Sequence, residues 1–399
     1  MRILSVTAQR PDSTGSGVYL TELVRGFARL GQTQAVLCGL GPEDGAAFPE
    51  GVGCFPVRYE TDELPYPVLG MSDQMPYRST RYCDMTEEMT AQLRAAFSVQ
   101  IENALRTFRP DVILCHHLYY VTALVRQLCP ETPVYALCHG SDLRQIRKNP
   151  WQRETICEEI ARLDGIFALH EEQKRTIVEL YAVPPERITV IGTGYNREIF
   201  HLTDARNARG DGKTRLLFAG KIAEKKGVFS LLRAMSRLDR PERYSLTLAG
   251  GYGDEEEYAR IREAAKAVPC ELRFPGKLSQ PELAAVMNGS DVFILPSFYE
   301  GLPLVLIEAM ACGLRCVCTD LPGIRPWLDA QLPGHGVVFV PPPQMVNQDE
   351  ALPESLPAFE QALAAAIESA GAAPLPDRER LHALSWDGLC ERLLPLLKA

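Results

Sequence analysis

Short apolar runs alternate with longer amphipathic stretches along the chain, separated by glycine-rich or polar turns. Residues 2–7 read as a buried strand. After the loop 9–17, Val18, Leu20, Leu23, Val24, Phe27, Ala28 and Leu30 recur at helical spacing and stop at Gly31. Residues 34–38 form the next strand. Strand, glycine-rich turn, helix and strand make a βαβ unit, hence a parallel sheet with right-handed crossovers. The same alternation predicts strands at 111–117, 133–138, 165–169 and 187–191, with helices at 87–108, 151–163 and 171–181. Residues 55–85 have no period and are rich in Pro, Tyr and Met, which reads as a covering loop that shapes a binding site.

The polar, glycine-containing stretch 203–213 is a natural linker edge, after which the alternation restarts. Strands are expected at 214–219, 244–249, 271–274, 291–297 and 314–318. Helices are expected at 228–238, 254–266, 280–288 and 358–370, with a last one from near Ser385. Between 297 and 314, Pro303 suits a first helical position and Gly313 the left-handed residue after a last turn. Two successive βαβ runs predict an α/β protein of two doubly wound domains with a cleft between them.

Composition narrows the classes. A chain of 399 residues is too long for one ordinary core, and 46% hydrophobic with 23% charged residues is globular usage. A net charge of −9 argues against a nucleic-acid partner. No apolar run reaches about 18 residues, and the N-terminus enters a strand directly, so neither a membrane span nor a signal peptide is expected. The 12 cysteines are scattered, with no C-x-x-C pair, and read as small buried hydrophobes of a cytoplasmic protein rather than zinc ligands. With no D-x-D, the sequence requires no metal, and no cofactor is indicated.

Glu300 and Glu308 carry the most specific chemistry. Glu300 sits on the turn after the apolar run 291–297, and Glu308 about one turn inside the following helix. Unpaired amides and the helix dipole make that helix start an anion site, and carboxylates beside it suit hydroxyls of a sugar and a ribose. A dinucleotide oxidoreductase using Gly15-x-Gly17 is disfavoured: Leu20 occupies the third glycine's place and no acidic residue ends the second strand. A glycosidase using Glu300 and Glu308 would leave the basic turn 220–227 without purpose.

With these residues in place, the chain resembles the retaining glycosyltransferases of the GT4 family (glycosyl transferases group 1). The E-G-L-P-L-V-L-I-E-A-M-A-C-G run, Glu300 to Gly313, is similar to that family's E-x7-E element. Gly220-Lys221-x4-Lys226-Gly227 resembles its G-R-x4-K-G element, with Lys where Arg is usual, which keeps the charge and loses the bidentate fork. The resemblance implies a GT-B fold, two Rossmann-like domains facing across a cleft. Residues 1–200 would form the acceptor side, 201–384 the donor side, and the helix of 385–399 would pack back on the first domain. It further implies a nucleotide-sugar donor, UDP favoured over GDP, and a hydroxyl acceptor that is a small molecule, glycan or lipid-linked molecule. A lipid-linked acceptor would bring peripheral contact at the inner face of a membrane. Lys221 and Lys226 would neutralise the leaving diphosphate, with amides near Leu302, Pro303, Leu304 and Val305 adding fixed dipoles. Glu300 would hold the donor sugar, Glu308 the ribose, and His139 would lie near the reacting face. The base would stack near Lys277 and Leu278, with close backbone approach at Gly15, Gly17, Gly194, Gly250 and Gly301. His116 and His117 end a neighbouring strand and could line the cleft; His170, His201, His335 and His382 carry no assignment. Two other readings share these motifs: a nucleotide-sugar epimerase, for which Asp12 and Asp142 are the candidate acid and base, and a catalytically silent sugar-nucleotide binder.

Overall fold

A computed structural model describes residues 1–11, 13–72, 75–203, 212–347 and 350–397. Asp12 and most of the expected linker 203–213 lie outside them. The chain divides into two compact units, Met1–Thr193 with Trp386–Ala399, and Gly194–Ser385.

The first unit runs β1 (Arg2–Thr7), α1 (Gly15–Arg29), β2 (Thr33–Leu40), β3 (Gly53–Arg58), the short pair β4 (Leu69–Gly70) and β5 (Thr80–Arg81), and α2 (Glu87–Thr107). It continues through β6 (Val112–His116), α3 (Tyr120–Leu128), β7 (Val134–Leu137), α4 (Ser141–Lys148), α5 (Arg153–Ile160), β8 (Gly165–Ala168), α6 (Glu171–Tyr181) and β9 (Ile188–Val190). Seven strands form one parallel sheet in the order β3-β2-β1-β6-β7-β8-β9. The order reverses between β1 and β6, and such switch points are where doubly wound sheets open a crevice at the strands' C-terminal ends.

The second unit runs β10 (Thr214–Ala219), α7 (Val228–Met235), β11 (Tyr244–Ala249), α8 (Glu255–Ala265), β12 (Glu271–Gly276), α9 (Gln280–Asn288), β13 (Val292–Leu295) and α10 (Leu304–Ala311). Then come β14 (Arg315–Thr319), α11 (Ile324–Gln331), β15 (Val338–Val340), α12 (Leu356–Ala370) and α13 (Arg378–Ala383). Its six parallel strands lie in the order β12-β11-β10-β13-β14-β15, with the reversal between β10 and β13. The last helix, α14 (Trp386–Leu393), belongs to the first unit, where Cys390 and Trp386 pack on Gly26 of α1. Among the described residues no helix is long and apolar enough to cross a membrane.

Both sheets set their central register with the same device. Asp111 accepts the Arg2 amide at 2.6 Å, joining the starts of β1 and β6. Asp291 accepts the Arg215 amide at 2.8 Å, joining the starts of β10 and β13. Bonds to a carboxylate are stronger than neutral ones, so each acts as a register pin at the end opposite the crevice.

Several elements depart from the sequence reading. Helix α1 begins at Gly15, not Val18, because Thr14 caps it by accepting from the Gly17 amide. Pro303 is the N-cap of α10 rather than its first residue. The segment 55–85 is not an aperiodic cover: it completes β3, and Tyr59, Leu64, Tyr66, Val68, Leu69, Met71 and Tyr82 enter the first unit's core. Asp73 and Gln74 of that segment lie outside the described residues. Helices α3, α4, α11 and α13 and strand β15 are further elements, of nine residues or fewer, that the sequence pattern does not mark.

Candidate active site

Glu300 lies on the turn between β13 and α10, and Lys226 on the turn after β10, so the two sides of the second switch point meet through them. Lys226 Nζ donates to Glu300 Oε1 at 2.7 Å, and Ser297 Oγ donates to the same oxygen at 2.7 Å. The pair is mostly shielded from solvent, at 24% and 15% side-chain exposure, where screening is weaker than on an open surface. Ser297 is a residue the sequence reading left without a role; its place three residues before Glu300 was the available signal.

Two backbone devices aim Lys226. Gly227 takes a left-handed φ of 69°, and a Cβ there would lie 2.0 Å from the Pro296 carbonyl oxygen. The Phe298 amide donates to the Lys225 carbonyl at 3.0 Å, tying the basic turn to the end of β13. Lys221 is half-buried on the same turn, and its ammonium is pushed below the ordinary lysine value by burial, then by Lys225. A group held so gains from an arriving anion. Pro303 provides no side-chain cap for α10; among the first-turn amides that of Leu306 is engaged with the Pro303 carbonyl at 3.2 Å, while those of Leu304 and Val305 precede the helix's own ladder. Leu302 and Pro303 are buried there, while Gly301, Leu304 and Val305 are half-exposed. Glu308 is buried on the same helix.

The turns after β11 and β12 stand beside this cluster. The Gly220 amide donates to Ala249 at 3.0 Å and the Gly250 amide to Gly276 at 2.8 Å. A Cβ on Gly250 would lie 1.7 Å from the Gly220 carbonyl oxygen. Gly250 is therefore required by the packing of these turns, and its amide is already engaged. Lys277 is exposed and Leu278 half-exposed between β12 and α9.

In the first unit, three imidazoles gather at the C-terminal ends of β6 and β7. His116 Nδ1 and His139 Nε2 share a hydrogen bond at 3.1 Å, with rings stacked at 5.3 Å. His117 Nε2 reaches Gln9 Oε1 at 3.2 Å, bridging the first switch point. His117 holds a left-handed φ of 75°, with its amide on the Leu137 carbonyl and its carbonyl accepting from Thr122. Such backbone costs energy and persists where the surroundings over-determine it. Burial pushes His117 down to about 3, and burial together with His117 pushes His139 down to about 3. His116 is held well below the ordinary histidine value by burial and its two neighbours. All three are neutral near pH 7. Tyr19 packs edge-on against His139 with ring centroids 5.2 Å apart and donates to the Gly192 carbonyl at 3.0 Å.

Asp142 is fully buried and accepts from the Leu118 amide at 2.8 Å, the His139 amide at 3.3 Å, the Leu143 amide at 3.2 Å and Cys138 Sγ at 3.4 Å. It is a staple between the ends of β6 and β7, not the exposed acid or base an epimerase would need. Gly15 is exposed at the start of α1, with open space where a Cβ would stand. Gly17 is buried and its amide is spent on Thr14 Oγ1 at 3.1 Å. Gly194 is buried at the start of the second unit. Among the described residues no cluster of three His, Cys, Asp or Glu side chains is arranged to hold a metal ion.

The family described as "Glycosyl transferases group 1" matches residues 201–353, and that described as "Glycosyltransferase Family 4" matches residues 13–199. A glycogen synthase from Mycobacterium tuberculosis is 26% identical over 243 residues, 59% of this chain and 58% of its own. The chain thus spans less than two thirds of that relative. A D-inositol 3-phosphate glycosyltransferase from Thermobispora bispora is 27% identical over 343 residues, covering 79% and 76% of the two chains. Among solved structures, sucrose-phosphate synthase from Thermosynechococcus elongatus superposes with a TM-score of 0.67 at 18% identity, over 99% and 98% of the chains. Anabaena HepE in complex with UDP-glucose superposes with a TM-score of 0.65 at 14% identity, over 99% of each. The fold of these structures, two parallel-sheet α/β domains of the GT-B type, is the fold of this chain.

Proposed function

The chain belongs to the group 1, family 4 glycosyltransferases, and from that premise we propose that it moves a sugar from a nucleoside diphosphate sugar to a hydroxyl acceptor, with retention at the anomeric carbon. The observation that carries this reading is the convergence of Lys226 and Ser297 on one oxygen of Glu300 at the uncapped start of α10. With Oε1 fixed by two donors, Oε2 is the oxygen left to accept from a sugar hydroxyl. Lys226 is then at once the partner that orients Glu300 and a cation for the diphosphate.

As the bond from the anomeric carbon to the diphosphate breaks, negative charge grows on the leaving oxygens. Lys221, Lys226 and the amides of Leu304 and Val305 meet that charge without reorganising. The acceptor hydroxyl attacks from the face the diphosphate leaves, and its proton passes to the departing phosphate oxygen. No protein nucleophile is needed in this route. Glu308 takes the ribose hydroxyls, and Lys277 and Leu278 flank the base. UDP is the preferred nucleotide because the similarly folded HepE was solved with UDP-glucose.

Thermal unfolding of the full chain with UDP, GDP and their glucose, N-acetylglucosamine and mannose conjugates tests the reading. A bound donor at a hundredfold excess over Kd stabilises by about 2.7 kcal/mol. Stabilisation by UDP compounds over GDP compounds is the expected result. No shift with any nucleotide sugar would sink the donor assignment. A shift without sugar release to any hydroxyl acceptor would favour a silent binder.

A further inference from the structure

A cavity of about 280 Å³ lies within the second unit, between the C-terminal end of α10 and α13, away from Glu300. Its volume sits just under the range of ordinary small-molecule pockets, about 300–1,000 Å³. Phe200, Met310 and Leu381 are buried and give it an apolar floor. Its rim carries the Arg378 guanidinium and the imidazoles of His201 and His382, all three exposed. Among the described residues these three side chains have no hydrogen-bond or ion-pair partner, and no carboxylate is among the lining residues. The neighbouring Asp377 is spent on capping α13, where it accepts from the Glu379 and Arg380 amides.

We propose that this cavity is a second ligand site, taking a small anion with an apolar body, such as an alkyl phosphate. The carbonyl end of α10 forms one wall at Met310 and Ala311 and repels a negative charge. The apolar body therefore lies against α10 and the anionic head turns to Arg378. The lining comes from residues just after the first crossover between the units, 195–202, and just before the second, 375–382. Binding at this site does not depend on the transfer reaction proposed above.

Titration calorimetry on the full chain with hexyl phosphate tests it, with inorganic phosphate and hexanol as separate arms. Saturable one-to-one binding of hexyl phosphate, tighter than either half alone, is expected. Arg378→Gln should weaken it about tenfold, the scale of one charge-assisted hydrogen bond. Ala311→Phe should abolish it by filling the cavity, and Glu300→Ala should leave it unchanged. Arg378 is exposed, so its variant keeps the fold and decides the matter if Ala311→Phe does not. Four results would overturn the proposal: no saturable heat up to about 1 mM ligand; equal affinity in Arg378→Gln; loss of binding in Glu300→Ala; or inorganic phosphate binding as tightly as hexyl phosphate.

Discussion

Lys226 Nζ stands 2.7 Å from Glu300 Oε1 across the reversal between β10 and β13, joining residues 74 apart in sequence. Each turn presents its side chain to the other only because β10 and β13 are neighbours. Lys226→Ala removes a cation from the diphosphate and a positioning donor from Glu300. We expect it to lower kcat/KM with the preferred UDP-sugar by about a hundred- to a thousandfold. Glu300→Ala should fall in the same range, and the double variant should lose much less than the product of the two. Steady-state kinetics with unchanged thermal midpoints checks this; near-normal turnover in either single variant contradicts the assignment.

Asp142 anchors the first unit's site rather than reacting in it. Replacing it with Ala would leave the buried amides of Leu118 and Leu143 and that of His139 without their acceptor. Each such loss costs about 1–3 kcal/mol, so Asp142→Ala should destabilise the chain by about 3 kcal/mol or more in urea unfolding. A change under about 1 kcal/mol would mean other acceptors replace it.

The three imidazoles give the chain an acid sensitivity of definite sign. His117 is pushed down to about 3 by burial, whereas an unfolded histidine titrates near 6.5. Between those values the unfolded chain binds a proton that the folded chain refuses. The contribution is complete above about pH 6.5 and is lost as pH falls toward 3, by up to about 1.4 kcal/mol per pH unit for each fully buried imidazole. His139 and His116 act in the same direction. Stability measured from pH 7.5 down to pH 5 should decline, and His117→Gln should reduce the slope by about one proton. An unaltered slope in that variant would show that His117 does not carry it.

Much of the fold was legible because the central strands of both sheets, β1, β6, β10 and β13 among them, are apolar runs closed by a turn residue. What escaped was set by tertiary partners. Helix α4 was hidden because its start, Gly140-Ser141-Asp142, reads as a turn; Asp142 acts through bonds to Leu118 and His139, which sequence spacing does not reveal. The core packing of residues 55–85 was hidden because their tyrosines enter the core without a period. At the candidate site, Glu300 and Lys226 stood out by type and spacing. Ser297 and Gln9 did not: a hydroxyl three residues before a carboxylate is common, and Gln9 acquires its partner His117 only once β1 and β6 are neighbours.

Two glycines separate packing from approach. Gly227 has a left-handed φ of 69° and a Cβ position 2.0 Å from a backbone oxygen. Gly227→Ala should therefore destabilise by more than the roughly 1–2 kcal/mol of the left-handed backbone alone, and lose activity by misplacing Lys226. Gly15 opens α1, is exposed, and has nothing within 4 Å of where a Cβ would stand. Gly15→Ala should leave stability unchanged or raise it by up to about 1 kcal/mol, since alanine loses less backbone entropy. If the backbone at Gly15 approaches the substrates, that added methyl group meets them and kcat/KM falls at constant thermal midpoint. Kinetics and unfolding measured on the same preparation decide it. An active, equally stable Gly15→Ala would assign Gly15 to the turn alone and move the search for substrate contacts to the imidazoles at the ends of β6 and β7.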